Sequence, residues 1–300
     1  MIKRFLFRVT TIAIFTAIML SSCGTTDKLR QNIESADNAF KSGDMKSALE
    51  KYERTISYYE NKNRSKECPV YTKAGIAAQE LGNNDKALEY LKKARYTTSE
   101  SSSTYWELAN IYRKIDNLSK EMTALETYIQ KFPAADKTDS VNKRLFEIYV
   151  ESENWNKALE TWTKIKMDAS EDTALVAGYF KVNKALDKNK ICDSLAEVML
   201  KNDKNNILAL EWEAKRYYNK AENLYQKEMK AYNRHKTRRQ YAHLLKALKV
   251  VTADFKTSLK YFKRLYSANP SPKYARYLAN IYNRLDDKSK AEYYKKRAGI

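Results

Sequence analysis

The chain is predicted to be all-α, a solenoid of about eight antiparallel helical hairpins. Apolar and small residues recur at helical spacing, interrupted by short polar breaks. The two-helix unit they define returns at intervals close to the roughly 34 residues of a helical repeat. Only six Gly and four Pro interrupt 300 residues that are 31% charged and hold 23 Tyr, a composition suited to helices with wet outer faces and aromatic packing between them. A solenoid grows by stacking, so chain length sets the number of units rather than the size of one core.

The clearest unit is residues 71–94, YTKAGIAAQELGNNDKALEYLKKA. Tyr71, Ala74, Gly75 and Ala78 precede the break LGNND, and Ala87, Leu88, Leu91 and Ala94 follow it. Small side chains at Gly75, Ala78 and Ala87 let two backbones approach closely, while Leu88 and Leu91 fill the space beside them. These residues resemble the tetratricopeptide repeat (TPR) family, whose pattern has a small residue facing Tyr in the first helix, then Ala, a bulky residue and Ala in the second. The resemblance covers residues 33–298, most clearly in hairpins two, three, four and eight. It implies a groove that holds a protein partner, as in the TPR lipoproteins of outer-membrane β-barrel assembly and envelope secretion.

Residues 1–22 stand apart from that array. Lys3, Arg4 and Arg8 form a basic start, and the apolar run from Val9 to Leu20 is too short to span a bilayer but suits a signal peptide. Leu20-Ser21-Ser22-Cys23-Gly24 then resembles the lipobox of bacterial lipoproteins, which implies acylation of Cys23 and a mature chain beginning there. Two or more acyl chains, palmitate-like in chemistry, anchor a protein stably where one does so only marginally. Gly24 is not the Asp that retains some lipoproteins in the inner membrane, so the expected location is the outer membrane, facing the periplasm. Residues 23–32 are expected as a short tether and residues 33–300 as the solenoid.

Small residues of the second helices place the hairpins at Ala48, Ala87, Glu121, Ala158, near Ser194, Ala221, Ser258 and Ala291. In the first, Ala36, Phe40, Ala48, Leu49, Tyr52 and Ile56 face inward, Gly43-Asp44 turns the chain, and Ser35 or Asp37 is the expected cap. Thr104-Tyr-Trp-Glu107 reads as a capping box opening the third hairpin, which stops at Phe132-Pro133. The fourth sets Leu145, Phe146 and Tyr149 against Trp155, Ala158, Leu159 and Trp162. The fifth shows Cys192, Leu195 and Val198 in its second helix. The sixth lacks a turn residue between Ile207 and Tyr232 and is either bent near 215–217 or one long helix. The seventh keeps 4 and 3 spacing through Leu244, Leu248, Val251, Phe255, Leu259, Phe262 and Tyr266, so a heptad seam is the alternative to a hairpin there. Asn269-Pro270 ends it, and Ser271-Pro272 supplies a cap and a first-turn proline for the eighth.

No catalytic constellation emerges, and the chain is expected to be no enzyme, with no metal and no cofactor. His235 and His243 lack acidic ligands at metal-site spacing, no Gly-rich phosphate loop or nucleophile motif is present, and Cys68 and Cys192 read as packing residues. Charge is the uneven property. The mature chain carries 53 basic and 37 acidic residues; residues 211–300 hold 23 basic and 8 acidic, leaving residues 23–210 almost neutral. Within 230–285 fourteen Lys or Arg face one acid, Asp254. Arg234, Arg238, Arg239, Lys246 and Lys249 are the densest candidates for partner binding. Arg276 and Asn280, one turn apart, are candidates on the eighth hairpin. A signal peptide argues against nucleic acid, leaving a protein partner of the cell envelope, or an anionic lipid or glycan bound directly by the basic half.

Overall fold

The computed structural model describes residues 27–300, apart from the side chains of 167–169; the expected signal peptide and the expected acylation site Cys23 lie outside the described residues. Fourteen α-helices are present there and no strand. They form consecutive pairs: α1 (27–41) and α2 (Met45–Asn61), α3 (Tyr71–Glu80) and α4 (Asn84–Ala94), α5 (Ser102–Lys114) and α6 (Leu118–Lys131). There follow α7 (Thr138–Glu151) and α8 (Trp155–Ala169), α9 (Thr173–Ala185) and α10 (Asn189–Asn202), α11 (Ile207–Arg234) and α12 (Arg238–Ala268), and α13 (Pro272–Arg284) and α14 (Lys288–Ala298). The chain divides into two compact units, one up to Ile148 and one from Tyr149.

One turn is used six times. A residue with positive φ ends the first helix of the pair: Gly43, Gly82, Asp116, Glu153, Asp187 and Asp286. Glycine enters this region without steric cost, and a short polar side chain such as Asp tolerates it better than most. The next residue's N–H then donates back into the first helix: Asp44 to Ala39 O, Asn83 to Ala78 O, Asn117 to Tyr112 O and Asp287 to Tyr282 O, each at 2.9 Å. That same residue caps the second helix, with Asp44, Asn83, Asn117 and Asp287 each accepting a backbone N–H at 3.1 Å. Four residues beyond the cap lies the small side chain of close approach, buried at Ala48, Ala87, Ala158, Cys192 and Ala291.

Gly75 shows how close the approach is. A Cβ there would lie 2.6 Å from Leu91 Cγ and 2.9 Å from its Cδ2, so no larger residue fits without moving Leu91. In α6 the small-residue place is taken by Glu121, 2% exposed. Its carboxylate accepts from Arg113 Nε at 3.0 Å and from Arg144 Nε and Nη2 at 2.7 and 3.0 Å. Burial pushes this carboxyl up, but the bonds and charges of Arg144 and then Arg113 outweigh burial and hold it below the usual carboxylate range.

Several expectations are corrected. The first helix is already formed at residue 27, so neither Ser35 nor Asp37 caps it. Asp37 instead accepts from Tyr52 OH and Lys73 Nζ, both at 2.7 Å. Asn32, placed in the tether, donates at 2.9 Å to Lys51 O and to Thr55 Oγ1, tying α1 to α2. α5 starts at Ser102 rather than at Thr104: Thr104 is the third residue of the helix, and its hydroxyl accepts from Ser101 N at 3.1 Å. In α10 the buried face is Cys192, Ala196 and Met199, whereas Val198 is 47% exposed. The lysine cap at Lys188 gave no sequence signal for that register.

The largest departure is the replacement of hairpins six and seven by one long pair, α11 and α12, of 28 and 31 residues. No residue from 207 to 268 has a positive φ, so nothing turns the chain until His235–Thr237. The two helices run antiparallel along a seam of Ala214, Tyr218, Ala221 and Tyr225 against Leu244, Leu248, Val251, Phe255, Ser258, Phe262 and Leu265. The 4 and 3 spacing is that of a coiled coil, with Ser258 and Leu265 in the places expected for Leu259 and Tyr266. Ser258 Oγ donates to Ala214 O at 2.8 Å, which satisfies a hydroxyl that is fully buried in that seam.

Candidate partner-binding surfaces

Two surfaces of the second unit combine free polar groups with accessible apolar area. The first is a groove of about 450 Å³ formed by α9, α10 and α11. Its floor is Leu208 and Trp212, and its rim carries Lys184, Asn189 and Asn219. Trp212 is fixed from two sides. Its Nε1 donates to Asp193 Oδ1 at 2.8 Å, and its ring meets Phe180 edge to face with centroids 5.6 Å apart. Asp193 also lies 3.5 Å from Arg216 Nε, while Arg216 Nη2 reaches the buried Glu213 at 2.6 Å. The indole face is thereby held rigid, a property that lowers the cost of ordering it on binding.

Glu211, at the edge of this groove, binds Lys215 Nζ and Lys273 Nζ, both at 2.6 Å, and accepts from Tyr274 OH at 3.1 Å. Burial pushes its carboxyl up; the bonds from Lys215 and Lys273 and their charges outweigh that and hold it at about 2. Glu211, Asp193 and Glu213 are all paired, whereas no hydrogen bond or ion pair occupies the side chains of Lys184, Asn189 or Asn219. The groove therefore offers an aromatic floor and three free donors, a combination that accepts an apolar side chain and the carbonyls or carboxylate of a peptide.

The second surface is the free end of the long pair. Arg234 closes α11, Arg238 and Arg239 open α12, and Lys246 and Lys249 follow within three turns; all five are exposed and none forms an ion pair. The structure thus brings these five together. Arg276 and Asn280 sit apart from them on α13, both exposed, with Asn280 Nδ2 donating to Tyr218 OH at 3.4 Å. Lower on the long pair two contacts are made by charge: Lys220 meets Asp254 at 3.1 Å, and Glu222 meets Arg284 of α13 at 2.6 Å.

Cys23 lies outside the described residues. Cys68 and Cys192 are free thiols, both buried, and burial pushes the Cys68 thiol up to about 11, so it packs rather than reacts. His235 and His243 are exposed, and among the described residues no group of His, Cys, Asp and Glu assembles as a metal site. None of the described helices is long and apolar enough to cross a membrane. The groove around Trp212 escaped sequence reasoning; a tryptophan one turn before an arginine, in a stretch whose other aromatics are tyrosines, was the available signal.

No family model matches the chain, and no curated protein matches it. Solved structures similar to it include a tetratricopeptide repeat protein from Parabacteroides merdae, 14% identical, covering 91% of this chain and 93% of that one at a TM-score of 0.44. The C-terminal part of a TPR repeat-containing protein from Cytophaga hutchinsonii is 14% identical, with 89% and 93% covered and a TM-score of 0.46. A TPR repeats protein from Bacteroides fragilis is 15% identical, with 89% and 98% covered and a TM-score of 0.34. The turns and small-residue contacts described above are what establish the TPR-type fold of this chain.

Proposed function

We propose that this protein is a scaffold, held at a membrane through acylated Cys23, that uses the groove of α9, α10 and α11 to hold a segment of a protein partner in a cell-envelope assembly. The groove itself carries this reading, because its three free donors surround a rigid Trp212 while every acid along it is already paired. The resemblance of residues 20–24 to a lipobox supports the anchor, and Gly24, in place of the Asp that retains some lipoproteins in the inner membrane, supports a position at the outer membrane facing the periplasm.

A photo-crosslinking residue at Asn219 tests the groove in intact cells. One discrete adduct is expected, reduced about tenfold by Trp212→Ala, as loss of a central aromatic contact does. No adduct, or an adduct indifferent to Trp212, overturns the groove. The anchor is tested separately: Cys23→Ala should accumulate as a precursor or a soluble product, and a mature membrane-bound variant would contradict acylation.

A second reading, direct binding of an anionic lipid or glycan by the basic residues of 211–300, draws on the unpaired cations at the end of the long pair. Such retention would fall steeply with salt, since each basic residue near an anionic surface contributes about 1 kcal/mol that screening removes.

A further inference from the structure

The free end of the long pair has an uncovered flank. α13 lies along α11 as far as Arg284, which grips Glu222 and stacks on the Tyr225 ring at 4.2 Å. Beyond that point, from residue 226 to residue 250, Leu244 is the sole buried residue. α12 nevertheless continues the pattern that its covered half uses. Beside the seam, every seventh residue forms a column: Leu245, Thr252, Leu259 and Tyr266. At the covered end Tyr266 packs against Tyr294 of α14 at 5.4 Å, and Leu259 is half-buried against the same core. At the uncovered end Leu245 is 44% exposed and Thr252 is exposed. An open groove of about 740 Å³ lies there, lined by Ala242, Leu245, Lys246, Leu248, Lys249 and Thr252.

The chemistry along this groove is one-sided. The column next outward is Lys249, Lys256 and Lys263, none in an ion pair, with Lys246 and Lys260 beyond it. We propose that this flank of α12 docks an acidic amphipathic helix of the protein partner, which lies along α12 as a third helix and continues the cover that α13 and α14 provide lower down. This rests on the scaffold reading above and names the chemistry of the partner. A helix fits because Leu245, with Ala242 and Leu248 beside it, offers an apolar strip along a coiled-coil seam with charge outside it, the geometry that admits one more helix. An acidic helix fits because the lysine column would face its flanking residues. A second copy of this chain would set lysine against lysine. A bilayer would need apolar residues at the centre of the exposed face, where α12 instead carries Arg239, Lys246 and Lys260.

The test uses the full-length protein in detergent and a labelled peptide of about three heptads with Leu at the apolar positions and Glu beside them. Comparison probes are a scrambled peptide of the same composition, polyglutamate and phosphatidylglycerol vesicles. The helical peptide should bind, and Leu245→Asp or the pair Lys249→Glu and Lys256→Glu should each weaken it at least about tenfold. Leu245 and both lysines are exposed, so helix content should not change. The proposal is overturned if the peptide does not bind, if the variants bind it as well as the native chain does, or if any comparison probe binds equally. The Trp212→Ala variant should bind the peptide normally. A failed peptide test with an intact Asn219 adduct therefore removes this proposal alone, and a lost adduct with intact peptide binding removes only the groove.

Discussion

The pair α3/α4 and the pair α11/α12 solve the same problem, burying one face of each of two antiparallel helices, in different ways. In α3/α4 the helices are 10 and 11 residues long, Gly82 turns the chain, and Gly75 lets Leu91 enter the opposing helix. Each contact is close and few residues carry it. In α11/α12 no left-handed residue intervenes, the contact is a long seam of medium and large side chains, and the end farthest from α13 is secured by Leu244 and the Tyr232–Tyr241 ring pair at 5.7 Å. Closeness thus stabilises the short pair, whereas length extends the long one beyond the part its neighbours cover.

Leu91→Ala should show the contrast most sharply. It empties a fully buried site and should cost about 2–5 kcal/mol, with hydrogen-exchange protection lost across both α3 and α4. Leu244→Ala should cost about 2 kcal/mol, since surroundings this open can collapse, with protection lost only between 226 and 250. Loss of protection throughout α11 and α12 would mean that the long pair is no more divisible than the short one.

Gly75→Ala should cost about 1–3 kcal/mol because its methyl would overlap Leu91. The double variant with Leu91→Ala should lose less than the sum of the two single losses, the new methyl occupying space the leucine left. Simple additivity in a thermal or denaturant series would refute the contact that defines the short pair.

Acid should act on the base of the long pair. Glu211 has its carboxyl lowered from 4.5 to about 2, so it stabilises the fold at pH above about 4.5 and loses that contribution as pH falls towards 2. Unfolding followed from pH 6 to pH 2 should show this decline. Glu211→Gln should flatten it while lowering stability near neutrality. An unchanged slope would place the acid sensitivity in another carboxylate, such as Glu121.

The smallest effect is expected from reversing Lys246 and Lys249 to Glu, within about 0.5 kcal/mol either way, because both are exposed and unpaired. A larger loss would show that these cations hold the end of the hairpin together.

The sequence made the short pairs legible because their turns are chemical signals: Gly43-Asp44, Gly82-Asn83 and Asp286-Asp287 each join a residue suited to positive φ to a helix cap. Asp187-Lys188 carries only half of that signal, and there the expected face keeps Cys192 but takes Leu195 and Val198 where Ala196 and Met199 are buried. The long pair was visible only as a missing turn, and letters alone mislead: Glu222-Asn223 repeats Glu153-Asn154 but stays helical, Glu222 being held by Arg284. Of the candidate surfaces, the cluster from Arg234 to Lys249 could be read as a run of charge. The groove around Trp212 could not, since it depends on Phe180, Asp193 and Trp212 meeting from three helices.

The heptad seam of α11 and α12 also makes the long pair a ruler. Removing one heptad from each helix, on either side of His235–Thr237, keeps every seam residue in phase and draws the basic end inward by about 10 Å, two helical turns. Removing three residues from each instead draws that end inward by only about 4.5 Å and turns it by about 60° around the axis. Distance and orientation can therefore be varied independently in one molecule, and whichever of them a partner requires can be read from which deletion it tolerates.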